Sequence, residues 1–257
     1  MIFGRAFKNR THLMHYNLNG KTALITGASS GLGERMAFVL AEHGVKVILI
    51  ARRQEALDAI KKQIPNSSFY IMDVADKKSV RATFQQIEED QHRIDICINN
   101  AGIAKLTPLF ETSDHEDFER IVQTNLIGTW YVTQSIAAHM KKHSIAGSII
   151  NVSSVNGANK LREELTGYAV SKAAVIQMTK ALVGELSKVN IRINCIAPGL
   201  FHTPLTDYKL NTVDTKEEMA QKIPLQFVGS PADLDGTILY LASNDASRYV
   251  ITLASKS

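Results

Sequence analysis

A tyrosine and a lysine four residues apart stand in the run TGYAVSKAAV, which begins at Thr166 and is otherwise made of small and apolar residues. In a helix Tyr168 and Lys172 would share one face, so the phenol and the ammonium would point into the same space. A free phenol has a pKa of about 10, and a nearby ammonium lowers that pKa by stabilising the phenolate. The pair is therefore suited to proton transfer near neutral pH. The other interpretation is an aromatic ring packed in a core beside a solvated lysine.

Six apolar runs rich in β-branched residues are spaced along the chain and begin at Thr22, Val45, Ser68, Ile94, Gly147 and Ile191. They are continuous rather than alternating, which indicates strands covered on both faces. Helical patterns lie between them, over Gly33–Gly44, Val80–Asp90, Phe118–His143 and Tyr168–Val189. This alternation predicts an α/β fold with a doubly wound, Rossmann-like parallel sheet in three α/β/α layers. The ligand site of such a fold lies at the carboxyl ends of the strands.

The composition, with 45% hydrophobic and 21% charged residues in a chain of 257, is typical of one globular domain. We expect a single catalytic domain over residues 18–257, preceded by a basic tail over residues 1–17. The beginning of that tail also fits an organelle-targeting peptide, and Met14 also fits the true start. A less regular stretch over residues 201–228 predicts a lid above the site. Ser230 and Pro231 then predict the start of a helix.

Charge and cysteine content argue against several classes of protein. The net charge is +4, and no run of lysine or arginine is long enough to bind nucleic acid. No apolar run approaches the length that spans a membrane. Cys97 and Cys195 lie in apolar strand-like runs without metal-ligand spacing. We therefore expect buried free thiols, no metal site and a cytoplasmic location.

A glycine-rich run, TGASSGLG, follows the first predicted strand and opens the first helix. Glycines in such a turn let the backbone approach a pyrophosphate, and the helix N-terminus offers free N–H groups. The spacing is GxxxGxG rather than the usual GxGxxG, and a purely structural turn is the alternative. The position between strand and helix favours nucleotide binding by Gly27, Ser29, Ser30, Gly31, Leu32 and Gly33.

The second predicted strand ends at Arg52 and Arg53, where a cofactor with a free ribose 2′-hydroxyl normally meets an acid. Paired guanidinium groups match a 2′-phosphate in charge and geometry, so we expect NADP rather than NAD. The alternative is that both arginines begin a solvated helix. Asp73 is placed to accept a hydrogen bond from adenine, although it could equally cap a helix. The remaining contacts at these strand ends are expected from Val74, Asn100, Ala101 and Gly102.

Six motifs occur in the order and setting of the short-chain dehydrogenase/reductase family: TGASSGLG, NNAG, Asn125 in QTNLIGT, INVSS, YAVSK and IRINCIAPGLFHT. The resemblance covers roughly Leu18 to Tyr249. Within the family the chain is most similar to 3-oxoacyl-(acyl-carrier-protein) reductases and sugar-acid dehydrogenases. The resemblance implies contacts to the nicotinamide carboxamide from the last motif, by Pro198, Gly199 and Thr203.

The resemblance also implies a role for each of four residues. Tyr168 would be the catalytic acid or base, Ser154 would hold the substrate oxygen, and Lys172 would bind the nicotinamide ribose. Asn125 would anchor a water that links Lys172 to solvent. Ser154 could instead simply end a strand, and Asn125 could bend a helix through its side chain.

The function implied is hydride transfer between NADP and a carbonyl or secondary alcohol. An acyl-carrier-protein thioester and a sugar acid or polyol both remain open as substrates, and a non-catalytic NADP-binding sensor or scaffold is the alternative from another class. Two features depart from the family. The loop before Tyr168 carries Lys160, Arg162, Glu163 and Glu164. Lys160 or Arg162 could meet a polar or anionic substrate, or the charges could be plain surface. The chain ends early, on YVITLASKS, which could add one short strand; we still expect a homodimer or homotetramer formed by the two long helices.

Overall fold

A computed structural model describes residues 16–110, 116–159, 162–206, 216–221, 223–244 and 252–254. Its centre is a parallel sheet in the order β3-β2-β1-β4-β5-β6-β7. The strands are β1 (Thr22–Thr26), β2 (Lys46–Ala51), β3 (Ser67–Ile71), β4 (Ile96–Asn99), β5 (Ser148–Val152), β6 (Arg192–Ala197) and β7 (Thr252–Ala254). The six predicted strands are confirmed, and the short seventh adds an edge beside β6.

Helices connect the strands and cover both faces of the sheet. They are α1 (Gly31–Glu42), α2 (Gln54–Gln63), α3 (Lys77–Glu89), α4 (Glu116–Val122), α5 (Thr129–Lys142), α6 (Val155–Ala158), α7 (Thr166–Ser187), α8 (Lys216–Gln221) and α9 (Asp235–Ala242). A π-helical turn, Gln123–Gly128, joins α4 to α5, and a 3₁₀ turn, Pro231–Leu234, leads into α9. Among the described residues, no helix combines the length and the apolar character that a membrane span requires.

Alternate residues of the central strands enter two separate hydrophobic cores. In β1, Ala23 and Ile25 pack on the side of α1, α2 and α9, whereas Leu24 packs on the side of α3, α5 and α7. All five residues of β1 are buried. The continuous apolar runs of the sequence therefore reflect strands covered on both faces, as predicted.

Helix ends follow local capping chemistry and explain small shifts from the predicted bounds. Helix α3 begins at Lys77 rather than Val80 because the side chain of Asp76 accepts a hydrogen bond from the Lys78 N–H (2.8 Å). The turn that precedes α9 begins after Ser230, as predicted, with the Ser230 N–H bonded to the Asp233 carboxylate (2.7 Å).

The long predicted helix Phe118–His143 is interrupted by the π-helical turn around Asn125. The side chain of Asn125 bonds both the N–H and the C=O of Ile103, and the Thr129 hydroxyl donates to the Asn125 carbonyl (2.7 Å). Asn125 therefore lies in an irregular turn of this helix, and a bend caused by its side chain stays a prediction.

The segment predicted as a lid, residues 201–228, is only partly described. An isolated β-bridge joins the two ends of the segment: Phe201 pairs with Gly229, and the Gly229 N–H donates to the Leu200 carbonyl (2.9 Å). Between these points Met219, Ile223 and Val228 form a small cluster with Leu200. Residues 207–215 and 222 lie outside the described part of the chain.

Candidate active site

A cavity of about 400 Å³ opens at the carboxyl ends of the central strands. Its walls come from the turn after β1, the ends of β2 and β3, and the loop after β4. These walls include most of the predicted cofactor residues: Gly27, Ser29, Ser30, Gly31, Leu32, Arg52, Arg53, Asp73, Val74, Asn100, Ala101, Gly102 and Thr203. This is the edge of the sheet at which the sequence predicted a ligand site.

The glycine-rich turn is packed tightly against the end of β4. Gly27 has φ +66°, and a Cβ added there would lie 2.8 Å from the Ala101 Cα. Gly33 lines neither cavity of the site, but a Cβ added to it would meet the Gly27 carbonyl oxygen at 2.3 Å. The amide of Asn100 donates to the Gly27 carbonyl (3.2 Å) and to that of Thr26 (3.1 Å). The turn therefore needs small residues in order to place the first turn of α1 beside the cavity.

The two arginines after β2 point in different directions. The Arg53 guanidinium donates to the hydroxyls of Ser29 (3.1 Å) and Ser30 (3.2 Å) and so bridges to the glycine-rich turn. The Arg52 guanidinium lies 3.7 Å from the Asp73 carboxylate. Arg53 also stands at the N-cap position of α2. It therefore both begins a helix and lines the cavity, and the two interpretations given for it from the sequence are compatible.

A smaller cavity of about 100 Å³ shares a wall with the larger one. Ser154, Tyr168 and Lys172 line it, together with Pro198 and Gly199. The two cavities have Leu32, Asn100, Gly102, Thr203 and Leu205 in common. Three of the four predicted catalytic residues thus face a space that adjoins the larger cavity.

Lys172 is a buried side chain in the wall of the smaller cavity. Its ammonium donates to the Val152 carbonyl (2.8 Å) and lies 5.8 Å from the centre of the Tyr168 ring. Burial lowers the pKa of Lys172 to about 8, because the charged form loses hydration. The Ser153 hydroxyl donates to the Lys172 carbonyl (2.7 Å) and so holds α7 against β5.

Ser154 combines a capping contact with a place at the cavity. Its hydroxyl accepts a hydrogen bond from the Asn156 N–H (3.2 Å) at the start of α6, and the same side chain lines the smaller cavity. The structural interpretation of Ser154 and the catalytic one are therefore compatible.

Asn125 is fully buried and lines neither cavity. Its amide nitrogen donates to the Ile103 carbonyl (2.9 Å) and to the Ser171 hydroxyl (3.0 Å), and its amide oxygen accepts from the Ile103 N–H (2.8 Å). The Ser171 hydroxyl in turn donates to the Tyr168 carbonyl (2.8 Å). Asn125 therefore supports the helix that carries Tyr168 and Lys172 from behind.

Several wall residues were not predicted from the sequence. They are mostly apolar residues at strand ends and in loops, and they are Ile50, Ala51, Met72, Ile103, Thr124, Pro204 and Leu205 in the larger cavity and Val152, Ser153, Phe201 and Thr206 in the smaller one. Apolar type alone does not distinguish a cavity wall from a core, although a position next to a predicted strand end is a usable signal. In the charged loop before α7, Arg162 is exposed, and Lys160 lies outside the described residues.

Away from the two cavities of the site, Glu88 of α3 joins His139 of α5 and His143, which stands at the C-cap position of that helix. Its carboxylate contacts His139 Nδ1 (2.6 Å) and His143 Nε2 (3.0 Å), and it also accepts from the Lys142 ammonium. The Ile94 N–H donates to His139 Nε2 (3.3 Å), so the ring proton of neutral His139 belongs on Nδ1, in the bond to Glu88. The cluster thus forms a hydrogen-bonded tie between α3 and α5.

Comparison with known proteins agrees with the fold and with the motifs. The model of the short chain dehydrogenase family matches residues 21–214. A 3-oxoacyl-[acyl-carrier-protein] reductase, FabG, of Thermotoga maritima is 38% identical over 234 residues, which cover 90% of this chain and 93% of that protein. The chain belongs to the short-chain dehydrogenase/reductase family.

Two further relatives of this short-chain dehydrogenase/reductase carry different names. The oxidoreductase UcpA of Salmonella typhimurium is 36% identical over 239 residues, which cover 90% of each chain. A gluconate 5-dehydrogenase from Burkholderia cenocepacia, solved with NADP and tartrate, has a TM-score of 0.88 at 30% identity and covers 94% of this chain and 96% of its own. The predicted fold and family are confirmed, and the chain is an oxidoreductase of a family that binds NAD(P).

Proposed function

We propose that the chain transfers hydride between NADP and the carbonyl or secondary alcohol of a small molecule. The observation that carries the proposal is the shared wall between the 400 Å³ cavity and the smaller cavity lined by Ser154, Tyr168 and Lys172. A dinucleotide in the larger cavity would reach the catalytic side chains without a rearrangement of the sheet. When bound, the nicotinamide supplies or accepts the hydride.

The residues of the larger cavity fit a phosphorylated dinucleotide. The close packing of Gly27 and Gly33 leaves the N-terminus of α1 open toward the cavity, where its N–H groups suit a pyrophosphate. Arg52 and Arg53 stand where the ribose 2′ position would lie, and cations there favour a 2′-phosphate over a free hydroxyl. NADP is therefore the proposed cofactor, in place of NAD.

Tyr168 is the proposed proton donor in reduction and the proton acceptor in oxidation. The Lys172 ammonium lies near enough to its ring to stabilise a phenolate, and Ser154 is placed to hold the substrate oxygen. Lys172 would also bind the nicotinamide ribose. Asn125 would act from behind, by fixing the helix on which both residues stand.

The proposed substrate class is a 3-oxoacyl thioester, as the name of the Thermotoga relative suggests. The chain after β4 lines the larger cavity at residues 100–103, and further on it carries the exposed apolar side chains Leu106, Leu109 and Phe110, which would suit an acyl group. A sugar acid is the second candidate, because the Burkholderia neighbour is named a gluconate 5-dehydrogenase and the charged Arg162 precedes α7. A silent NADP-binding protein is the candidate from another class.

We also propose a single catalytic domain over residues 18–257 with a lid around 201–228, in a cytoplasmic homo-oligomer. Trp130 of α5 and Val170 of α7 are partly exposed, and both stand on helices that could pack against their copies.

The test is a panel assay of NADPH and NADH oxidation with a short 3-oxoacyl thioester, a keto-sugar acid, a diketone and a steroid ketone. We expect turnover that needs NADPH and is highest with the thioester. Highest turnover with the keto-sugar acid would replace the thioester proposal with the second candidate. Tight NADPH binding without turnover of any member would contradict catalysis and favour the silent binding protein.

A further inference from the structure

The helix that carries Tyr168 and Lys172 begins without a cap of its own. Leu165 stands at the N-cap position of α7 and its side chain makes no capping hydrogen bond. The first backbone N–H groups of any helix have no partner within the helix, and Ser, Thr, Asp or Asn at the N-cap normally bonds one of them. Leucine has no acceptor atom with which to do so. Tyr168 is the third residue of this helix, so its position depends on how well the first turn is held.

The acceptor comes instead from a residue 60 positions earlier in the chain. The Thr107 hydroxyl accepts a hydrogen bond from the Gly167 N–H (3.1 Å), which is the bond that an N-cap side chain would make. The Thr107 N–H also donates to the Glu164 carbonyl (2.6 Å). The two bonds fall on either side of Leu165 and hold the chain where it enters the helix.

The backbone at this point needs an external tie. Glu164 has φ +60°, in the left-handed region that residues with a side chain seldom adopt. Its carbonyl is the group that accepts the bond from the Thr107 N–H. Thr107 thus holds both the strained residue before the N-cap and the orphan donor after it.

The segment that carries Thr107 is itself well anchored. It follows β4, and it includes Ala101 and Gly102 in the wall of the larger cavity. Ile103 makes two hydrogen bonds to the Asn125 side chain, and the Lys105 ammonium pairs with Asp117 (2.7 Å). The wall of the larger cavity and the first turn of α7 are therefore joined through one loop.

We propose that Thr107 is a positioning residue that caps the catalytic helix from outside and so fixes Tyr168 against Lys172 and Ser154. This inference rests on the proposed function for the role of Tyr168, but the cap itself is independent of that role. Without the hydroxyl, the first turn opens more often and Tyr168 spends less time in the reactive position. Turnover then falls while the cofactor cavity, with its own contacts, is unchanged.

The experiment compares Thr107→Val, which keeps the shape and removes the hydroxyl, with Thr107→Ser, which keeps the hydroxyl. Thr107→Ala is a second variant without the hydroxyl. Thr179→Val is the matched control. The buried Thr179 hydroxyl also joins α7 to another element, because it accepts a hydrogen bond from the Asn151 amide of β5 (2.9 Å), and it lies far along the helix from Tyr168. Hydrogen exchange of the Gly167 amide, the pH profile of kcat and the NADPH Kd are measured for each.

We expect Gly167 exchange about fivefold faster in Thr107→Val and Thr107→Ala, as for a lost cap of ordinary strength, and near-normal exchange in Thr107→Ser. The kcat of Thr107→Val and Thr107→Ala should fall by roughly twofold or more, because even a small misplacement of a reacting group lowers the rate. The limb of the pH profile that reports Tyr168 should move to higher pH, and the NADPH Kd should not change. Thr179→Val should change neither Gly167 exchange nor the pH profile.

Gly167 exchange at the wild-type rate in Thr107→Val would overturn the proposed cap. A shift of the pH profile in Thr179→Val as large as that in Thr107→Val would overturn the positioning role, because it would show a general loosening of α7. Activity retained by Tyr168→Phe would count against the proposed function, while the exchange data would still decide the cap. Loss of activity in Tyr168→Phe with normal kcat in Thr107→Val would overturn the positioning role only.

Discussion

Replacement of Arg53 should separate the affinities for NADPH and NADH. Its guanidinium bridges the end of β2 to the hydroxyls of Ser29 and Ser30 in the glycine-rich turn, at the wall of the larger cavity. A 2′-phosphate placed there would exchange these neutral partners for charge-assisted bonds. NADH has no such phosphate, so Arg53→Ala removes an interaction that only NADPH makes.

The size of the effect follows from the exposure of the group. A hydrogen bond to a charged group contributes about 1.5–3 kcal/mol, which corresponds to roughly 10–150-fold in affinity. Arg53 is exposed, so solvent screening places the expected loss of NADPH affinity at the lower end, about 10–30-fold. The NADH affinity should change by less than about threefold. Arg53→Lys keeps the charge without the planar fork and should lie between.

Arg52→Ala should act in the same direction through a different contact. Arg52 lies 3.7 Å from Asp73, and its removal leaves that carboxylate without its cation near the position proposed for the 2′-phosphate. Fluorescence titration of both cofactors against all three variants and the wild type measures the four pairs of Kd values. Equal losses for NADPH and NADH, or no loss for either, would refute the assignment of the arginines to a 2′-phosphate.

Three further predictions concern the cation, the glycine turn and the tie between α3 and α5. The buried Lys172 ammonium loses its proton as pH rises through about 8, so NADPH affinity measured by titration should be weaker at pH 9 than at pH 7; equal affinity would contradict a contact from the ammonium. Gly33→Ala should lower the melting temperature and cost about 1–3 kcal/mol of stability, because the added Cβ would meet the Gly27 carbonyl at 2.3 Å. Gly236→Ala is the control, because nothing lies within 4 Å of the Cβ that it adds, and it should be neutral or stabilising. Hydrogen bonds, the largest from Lys142, lower the pKa of Glu88 from 4.5 to about 2, so its contribution to the free energy of unfolding is present above about pH 4.5 and is lost as pH falls toward 2. In Glu88→Gln, the free energy of unfolding measured with urea should therefore depend less on pH over that window. The same dependence on pH as in the wild type would count against the tie.

The sequence predicted the parts of the fold that depend on periodic apolar patterns. The central strands were found because they are buried on both faces, which leaves an uninterrupted apolar run such as that of β1. Strand β3, at the edge of the sheet, is only partly buried and was found from its β-rich sequence alone. The Tyr168–Lys172 pair was found because a helix alone brings residues four apart together. Residues at strand ends could be assigned to one cavity because parallel strands end at one edge.

Contacts between segments that are distant in the chain could not be predicted from the sequence. Nothing in the order of residues shows that Arg52 would pair with Asp73 or that Thr107 would cap a helix 60 positions later. The π-helical turn at Asn125 likewise depends on the backbone of Ile103, which a helical pattern over Phe118–His143 does not contain. These contacts arise only once the sheet has brought its connecting loops together.

The most direct test of the account is a comparison of turnover and cofactor affinity in Tyr168→Phe, which keeps the ring and removes only the hydroxyl. A positioned acid or base contributes roughly 10²–10⁴-fold. We predict that NADPH-dependent reduction falls by a factor in that range while the NADPH Kd stays within about twofold of the wild-type value. Turnover at the wild-type rate in Tyr168→Phe would contradict the assignment of proton transfer to this residue.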